Sequence, residues 1–144
     1  MMYLKKLSIF LLLTLLFSSF AGCFTQREYL NKSEVFDLVE ANRELILVCA
    51  ESGDYDDVLA LHTYVSDATA GEGWVDFYCG GHGLSVSGVD YGFYYSETDE
   101  PLPVHSWGGW LELKPDGDGW SCDGSDRYYT EKICDYLYYY EAGF

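Results

Sequence analysis

Between residues 31 and 53 the apolar positions recur every three to four residues. Val35, Leu38, Val39, Leu45, Ile46 and Cys49 form one stripe, while Glu34, Asp37, Glu40, Arg43, Glu44 and Glu51 fill the rest of the circumference. That is the period of an amphipathic helix. Asn31 followed by Glu34 predicts a capping box at its start, and Gly53 predicts its stop. Asp54–Leu61 predicts a further turn or two with Asp54 as cap. From Thr63 onward the period falls to two. Trp74–Cys79 alternates, with Val75, Phe77 and Cys79 on one side, and Gly80-Gly81-His82-Gly83 ends it. Val89–Ser96 predicts a second strand, with Val89, Tyr91, Phe93 and Tyr95 on one face. Glu97–Pro103 reads as a turn region and Trp107–Lys114 as a third strand, with Leu111 and Leu113 together. Pro115-Asp116-Gly117-Asp118-Gly119 is a hairpin signal, from which Trp120–Cys122 begins the return. Ile133–Glu141 reads as a last strand dense in tyrosine. Helix first and strands after predict an α+β domain, one or two N-terminal helices packed on a single antiparallel sheet of about four to six strands.

The first residues follow a different grammar. Lys5 and Lys6 precede an uncharged apolar run from Leu7 to Phe20, long enough for a signal peptide core and short of the ~20 residues a membrane-spanning helix needs. Phe20-Ala21-Gly22-Cys23 follows. Small residues directly before a cysteine resemble the lipobox of bacterial lipoproteins, a resemblance that implies cleavage before Cys23 and a lipid on its thiol. Two other readings stay open: secretory cleavage at Ser19-Phe20-Ala21, and retention of Leu7–Phe24 as an uncut anchor. The expected organisation is a signal peptide over 1–22, a tether over 23–32 and one domain over 33–144.

Charge and cysteines narrow the setting. The formal net charge is −16, and it falls to −18 once Lys5 and Lys6 are cut away. Such a surface repels phosphate backbones and anionic headgroups, so nucleic acid is excluded as a partner and the membrane enters only through the anchor. An aromatic content of 18% is too high for a disordered acidic tail, so the charge solvates a folded domain. With Cys23 set aside, Cys49, Cys79, Cys122 and Cys134 remain, an even number that permits disulfides in an exported chain, with four buried thiols as the alternative. Their spacing contains no C-x₂-C pair, so no structural zinc site is expected.

Three strings carry candidate chemistry. Cys79 and His82, on a glycine-rich turn, have the ingredients of a nucleophile and its base, but Cys79 falls on the apolar side of its strand. His62, His82 and His105 lack the spacing that would pair them as metal ligands. Asp116, Asp118 and Asp123 suggest weak calcium binding, but an EF-hand loop starting at Asp116 would need ligands where Trp120 and Arg127 stand. No catalytic residue, metal or cofactor is assigned. Alternation places Trp74, Tyr78, Tyr94 and Trp110 on the side of the sheet away from the helix. In the last strand Ile133, Leu137 and Tyr139 are expected to face the helix, with Tyr136, Tyr138 and Tyr140 opposite. Such an aromatic face suits a protein or glycan partner.

The second half of the chain, with GFYYS, DGDGW, YYTEKI and YYYEAGF, resembles small bacterial exported proteins, a resemblance that implies no activity. The expectation is a small exported, lipid-anchored envelope domain with a non-enzymatic binding role. A secreted inhibitor or immunity-type protein is the first alternative, and a hydrolase with a site of another kind the second.

Overall fold

A computed structural model describes residues 27–83, 87–104, 112–122 and 127–143. Cys23 and the segment expected to be a signal peptide lie outside them, as do Trp107–Leu111, His105 and Asp123. Among the described residues, helices α1 (Lys32–Ala41), α2 (Arg43–Ser52) and α3 (Asp56–Leu59) precede seven strands. These are β1 (Asp67–Gly71), β2 (Trp74–His82), β3 (Val89–Ser96), β4 (Lys114–Asp116), β5 (Gly119–Cys122), β6 (Arg127–Cys134) and β7 (Leu137–Gly143). All seven form one antiparallel sheet in the order β1-β2-β3-β7-β6-β5-β4. The α+β class stands, with more strands than the expected four to six.

The capping box forms: Asn31 Oδ1 accepts from the Glu34 amide at 3.0 Å, and Glu34 accepts from the Asn31 amide at 2.9 Å. Gly53, at φ +77°, ends the helical run in the left-handed conformation that glycine adopts without steric cost. The expected single helix is nevertheless two. Asn42 leaves helical geometry, and its side chain donates to the Leu38 carbonyl at 2.8 Å, the local competition with the helix ladder that asparagine offers. Asp54 does not cap α3: Tyr55 holds that position, and Asp54 accepts only from the Asp56 amide.

Two strand assignments also change. Ile133–Glu141 is not one strand but the end of β6, a turn at Asp135-Tyr136 and most of β7. Tyr136, at φ +69°, takes the turn position where Gly or Asn is usual, so the sequence carries no turn residue to read there. β1 was invisible because Asp67–Gly71 presents only small and polar residues, with no large apolar alternation.

The strand faces separate two cores. Val75, Phe77, Cys79, Phe93, Leu137 and Tyr139 point to the helices and pack with Val35, Val39, Ile46, Cys49 and Val58. On the opposite face Tyr94, Tyr128, Tyr138, Tyr140, Cys122 and Ala142 form a second buried cluster. It is covered by Leu102, Val104, Leu113 and Trp120. The cover follows from topology. The chain leaves β3 in the middle of the sheet and must reach β4 at its edge, so the connection from Glu97 crosses the far face.

Candidate binding pocket

The aromatic face expected to bind a partner is this second core. Tyr94, Tyr138 and Tyr140 are 0%, 1% and 0% exposed. The hydroxyls of Tyr94, Tyr138 and the neighbouring Tyr128 serve the irregular crossing segment, whose backbone has no strand ladder to join. The Leu102 amide donates to Tyr94 at 2.8 Å, Tyr128 donates to the Leu102 carbonyl at 2.9 Å, and Tyr138 donates to the Asp99 carbonyl at 2.6 Å. Asp76, on the same side of β2 as Trp74, is also buried on this face, against the Tyr140 hydroxyl. Trp74 is partly exposed at the sheet margin, its indole laid over Gly71. Tyr136 is exposed, at the β6–β7 turn. Trp110 lies outside the described residues.

The four cysteines are free thiols. Cys49, Cys79 and Cys134 belong to the helix side and Cys122 to the far side, so the sheet itself separates Cys122 from the other three. Cys79 and His82 take different partners. The thiol donates to the Phe77 carbonyl inside the core, and burial pushes it far above the ordinary thiol range. His82 is exposed, with Nδ1 bonded to the Tyr91 hydroxyl at 3.1 Å. His62 Nδ1 accepts from the Tyr64 amide at 3.1 Å. Among the described residues no three His, Cys, Asp or Glu side chains converge as a metal site.

Among the described residues the larger of two open concavities lies elsewhere, along the outer edge of β2. That edge carries two neighbours in succession. β1 pairs with it from Trp74 to Tyr78, and beyond that Tyr29 bridges to Gly80. The β2–β3 register slips between Tyr78 and Gly81, so the strand bulges where the two neighbours meet. The Tyr78 carbonyl accepts from the Ser66 amide at 3.1 Å and the Cys79 carbonyl from the Leu30 amide at 3.0 Å. Between them remains a cavity of about 490 Å³ lined by Glu28, Thr63, Tyr64, Ser66, Tyr78, Gly80 and Gly81.

Each wall has a physical cause. Gly80, at φ +86°, lets the N-terminal segment approach, since a Cβ there would collide with the Glu28 carbonyl and the Tyr29 backbone. Tyr29 is held on the other side by its ring, stacked on Tyr91 at 4.8 Å and on His82 at 5.2 Å between centroids. Arg27 lies over the Tyr29 ring at 5.2 Å, and its carbonyl accepts from the Tyr64 hydroxyl at 2.6 Å. Tyr78 is fixed by a 3.3 Å hydrogen bond to Asp90. Burial first, and the Asp90 charge second, push its hydroxyl up to about 12, so it stays protonated as a donor. The last residues of the tether expected over 23–32 are docked into the fold: Leu30 is buried and Tyr29 is the stacked ring.

Comparison with family models, curated proteins and solved structures finds no match to this chain. The pocket therefore has to be read from its own chemistry. Of its lining only Tyr78 stands among the binding residues expected from sequence, with Gly80 and Gly81 legible there merely as the break that ends a strand. Glu28, Tyr64 and Ser66 come from segments that carry no motif, and only the course of the backbone brings them together.

Proposed function

We propose that this chain is an exported, lipid-anchored envelope domain that binds a small ligand group without transforming it, through the pocket between its N-terminal segment and β2. The observation that carries the binding role is that cavity, about 490 Å³, within the size range of small-molecule sites and lined by two tyrosines, a threonine, a serine and a glutamate besides its glycines. The export signal supports the location: Lys5 and Lys6, the apolar run to Phe20, then Ala21-Gly22-Cys23. Glu28 follows Cys23 by five residues, which reach at most about 18 Å when extended, so an acylated Cys23 would hold the pocket close to the membrane surface.

Fractionation tests the anchor. In Cys23→Ser the protein is expected to leave the membrane fraction, or to keep its signal peptide and the corresponding mass. Unchanged fractionation together with unchanged mass would refute lipid attachment. Tyr78→Leu tests the pocket, and is expected to abolish recovery of whatever envelope component the wild-type chain retains.

A further inference from the structure

The charges around the pocket point to a ligand class. The cations of the described domain are concentrated elsewhere. Lys32 pairs with Glu131, Lys132 with Asp99 at 2.7 Å and with Asp135 at 3.4 Å, and Arg43 with Asp135 at 3.8 Å. Lys32 and Arg43 thus tie the helices to the β6–β7 hairpin, and Lys132 ties that hairpin to Asp99 of the crossing segment. Arg27, which precedes Glu28 in the chain, has its guanidinium engaged: it donates to the Tyr29 carbonyl and pairs with Glu34. The residues described as lining the cavity include one acid, Glu28, and no lysine, arginine or histidine.

Resting on the reading of the pocket as a binding site, we infer that it takes a protonated alkyl amine, such as a lysine side chain or a free amine. Three features favour such a group over a neutral or anionic one. Tyrosine faces attract a cation through their quadrupole, and Tyr64 and Tyr78 both line the cavity. Glu28 supplies a carboxylate for an ammonium group, with the Ser66 and Thr63 hydroxyls as further acceptors. A formal net charge of −16 raises the local concentration of cations and repels anions. The alkyl stem can lie along the tyrosine rings while the ammonium head reaches the acceptors.

The test uses the full-length chain in neutral detergent, with the amides of Gly80 and Gly81 followed by NMR. Butylammonium and acetyl-lysine amide represent the two sources of the same chemistry, and acetyl-norleucine amide is the uncharged control. Saturable shifts are expected with the amines and none with norleucine. Stronger binding of butylammonium than of acetyl-lysine amide would identify a free amine as the source, and the reverse order a lysine side chain. Glu28→Gln is expected to weaken amine binding about fivefold to tenfold, whereas Glu44→Gln, on the exposed side of α2, should leave it unchanged. An equal loss in Glu44→Gln would reduce the effect to general attraction and overturn the inference. Norleucine amide or N-acetylglucosamine shifting the same amides as well as the amines would overturn the amine class but leave the pocket standing. Absence of shifts with every probe would overturn both.

Discussion

A tyrosine hydroxyl binds the far core together at a resolution finer than the strand pattern. Thr130 donates its hydroxyl proton to the Tyr139 carbonyl at 2.8 Å, so at the 2.9 Å contact between Tyr94 and Thr130 the donor is Tyr94. Tyr94 in turn accepts from the Leu102 amide, which completes a relay from the crossing segment to β7. Tyr94→Phe removes the middle of that relay, taking the acceptor from the half-buried Leu102 amide and one of the partners from the buried Thr130 hydroxyl. The expected loss is about 1–3 kcal/mol in denaturant unfolding, with little change in the slope against denaturant. A loss near zero would mean that the hydroxyl is dispensable. At Cys79 the expectation is chemical silence. Its thiol is fully buried and held protonated by burial, so iodoacetamide should leave it unmodified in the folded protein. After denaturation without reductant, Cys49, Cys79, Cys122 and Cys134 should all titrate as thiols. A bridge involving Cys122 would contradict the placement of the sheet between it and the other three.

The β6–β7 hairpin depends on a residue outside it. Asp99, at φ +55°, accepts from the Tyr136 amide and from Lys132, each at 2.7 Å, while its carbonyl holds Tyr138. Burial alone would raise its pKa, but the bonds from Lys132 and the Tyr136 amide outweigh that and hold the carboxyl below the ordinary aspartate range. A carboxyl that titrates lower when folded stabilises fully above its unfolded pKa of about 3.9 and loses that contribution as pH falls through the lowered value. Asp99→Asn should therefore be less stable than wild type at pH 7, with the gap between the two narrowing below about pH 4. A gap that is constant with pH would assign the effect to shape and not to charge. At the pocket, Gly80→Ala places a methyl group where the N-terminal segment crosses β2, on a backbone that disfavours side chains. It should unpin Glu28–Leu30, seen as rapid proteolysis near Arg27 with the sheet intact.

The molecule as a whole carries a charge that works against its own compactness. With a sequence pI near 4.2 and 24 acidic residues against eight lysines and arginines, it repels itself at neutral pH. Added salt screens this over a Debye length of about 10 Å at 0.1 M. The melting temperature is expected to rise between 10 mM and 300 mM sodium chloride, and a fall would show that the ion pairs outweigh the repulsion. The sheet has unequal edges. β4 is three residues long and contains Pro115, which gives an edge little to pair with. The outer edge of β2 is occupied instead, by β1 and then by Tyr29, and the pocket opens where these two neighbours leave a gap.

Much of the helix layer could be read without coordinates, because its signals are local. A cap three residues from its acid, a glycine stop and an apolar stripe from Val35 to Cys49 depend only on near neighbours in the chain. Period-two alternation likewise identified β2 and β3 and the residues of each that meet the helices. The same alternation stated that Tyr94, Tyr138 and Tyr140 share the opposite side, and they do. Whether that side meets water depends on where the connection after β3 runs. A sheet with β3 inside it, beside the central β7, and β4 at the edge sends it across the tyrosines, turning an expected binding face into core. The pocket was beyond local pattern for the same reason. Glu28, Tyr64 and Tyr78 are far apart in the chain, and no periodicity links them. Their meeting follows from a strand bulge and from a glycine that lets the N-terminal segment cross β2, which are properties of the assembled sheet.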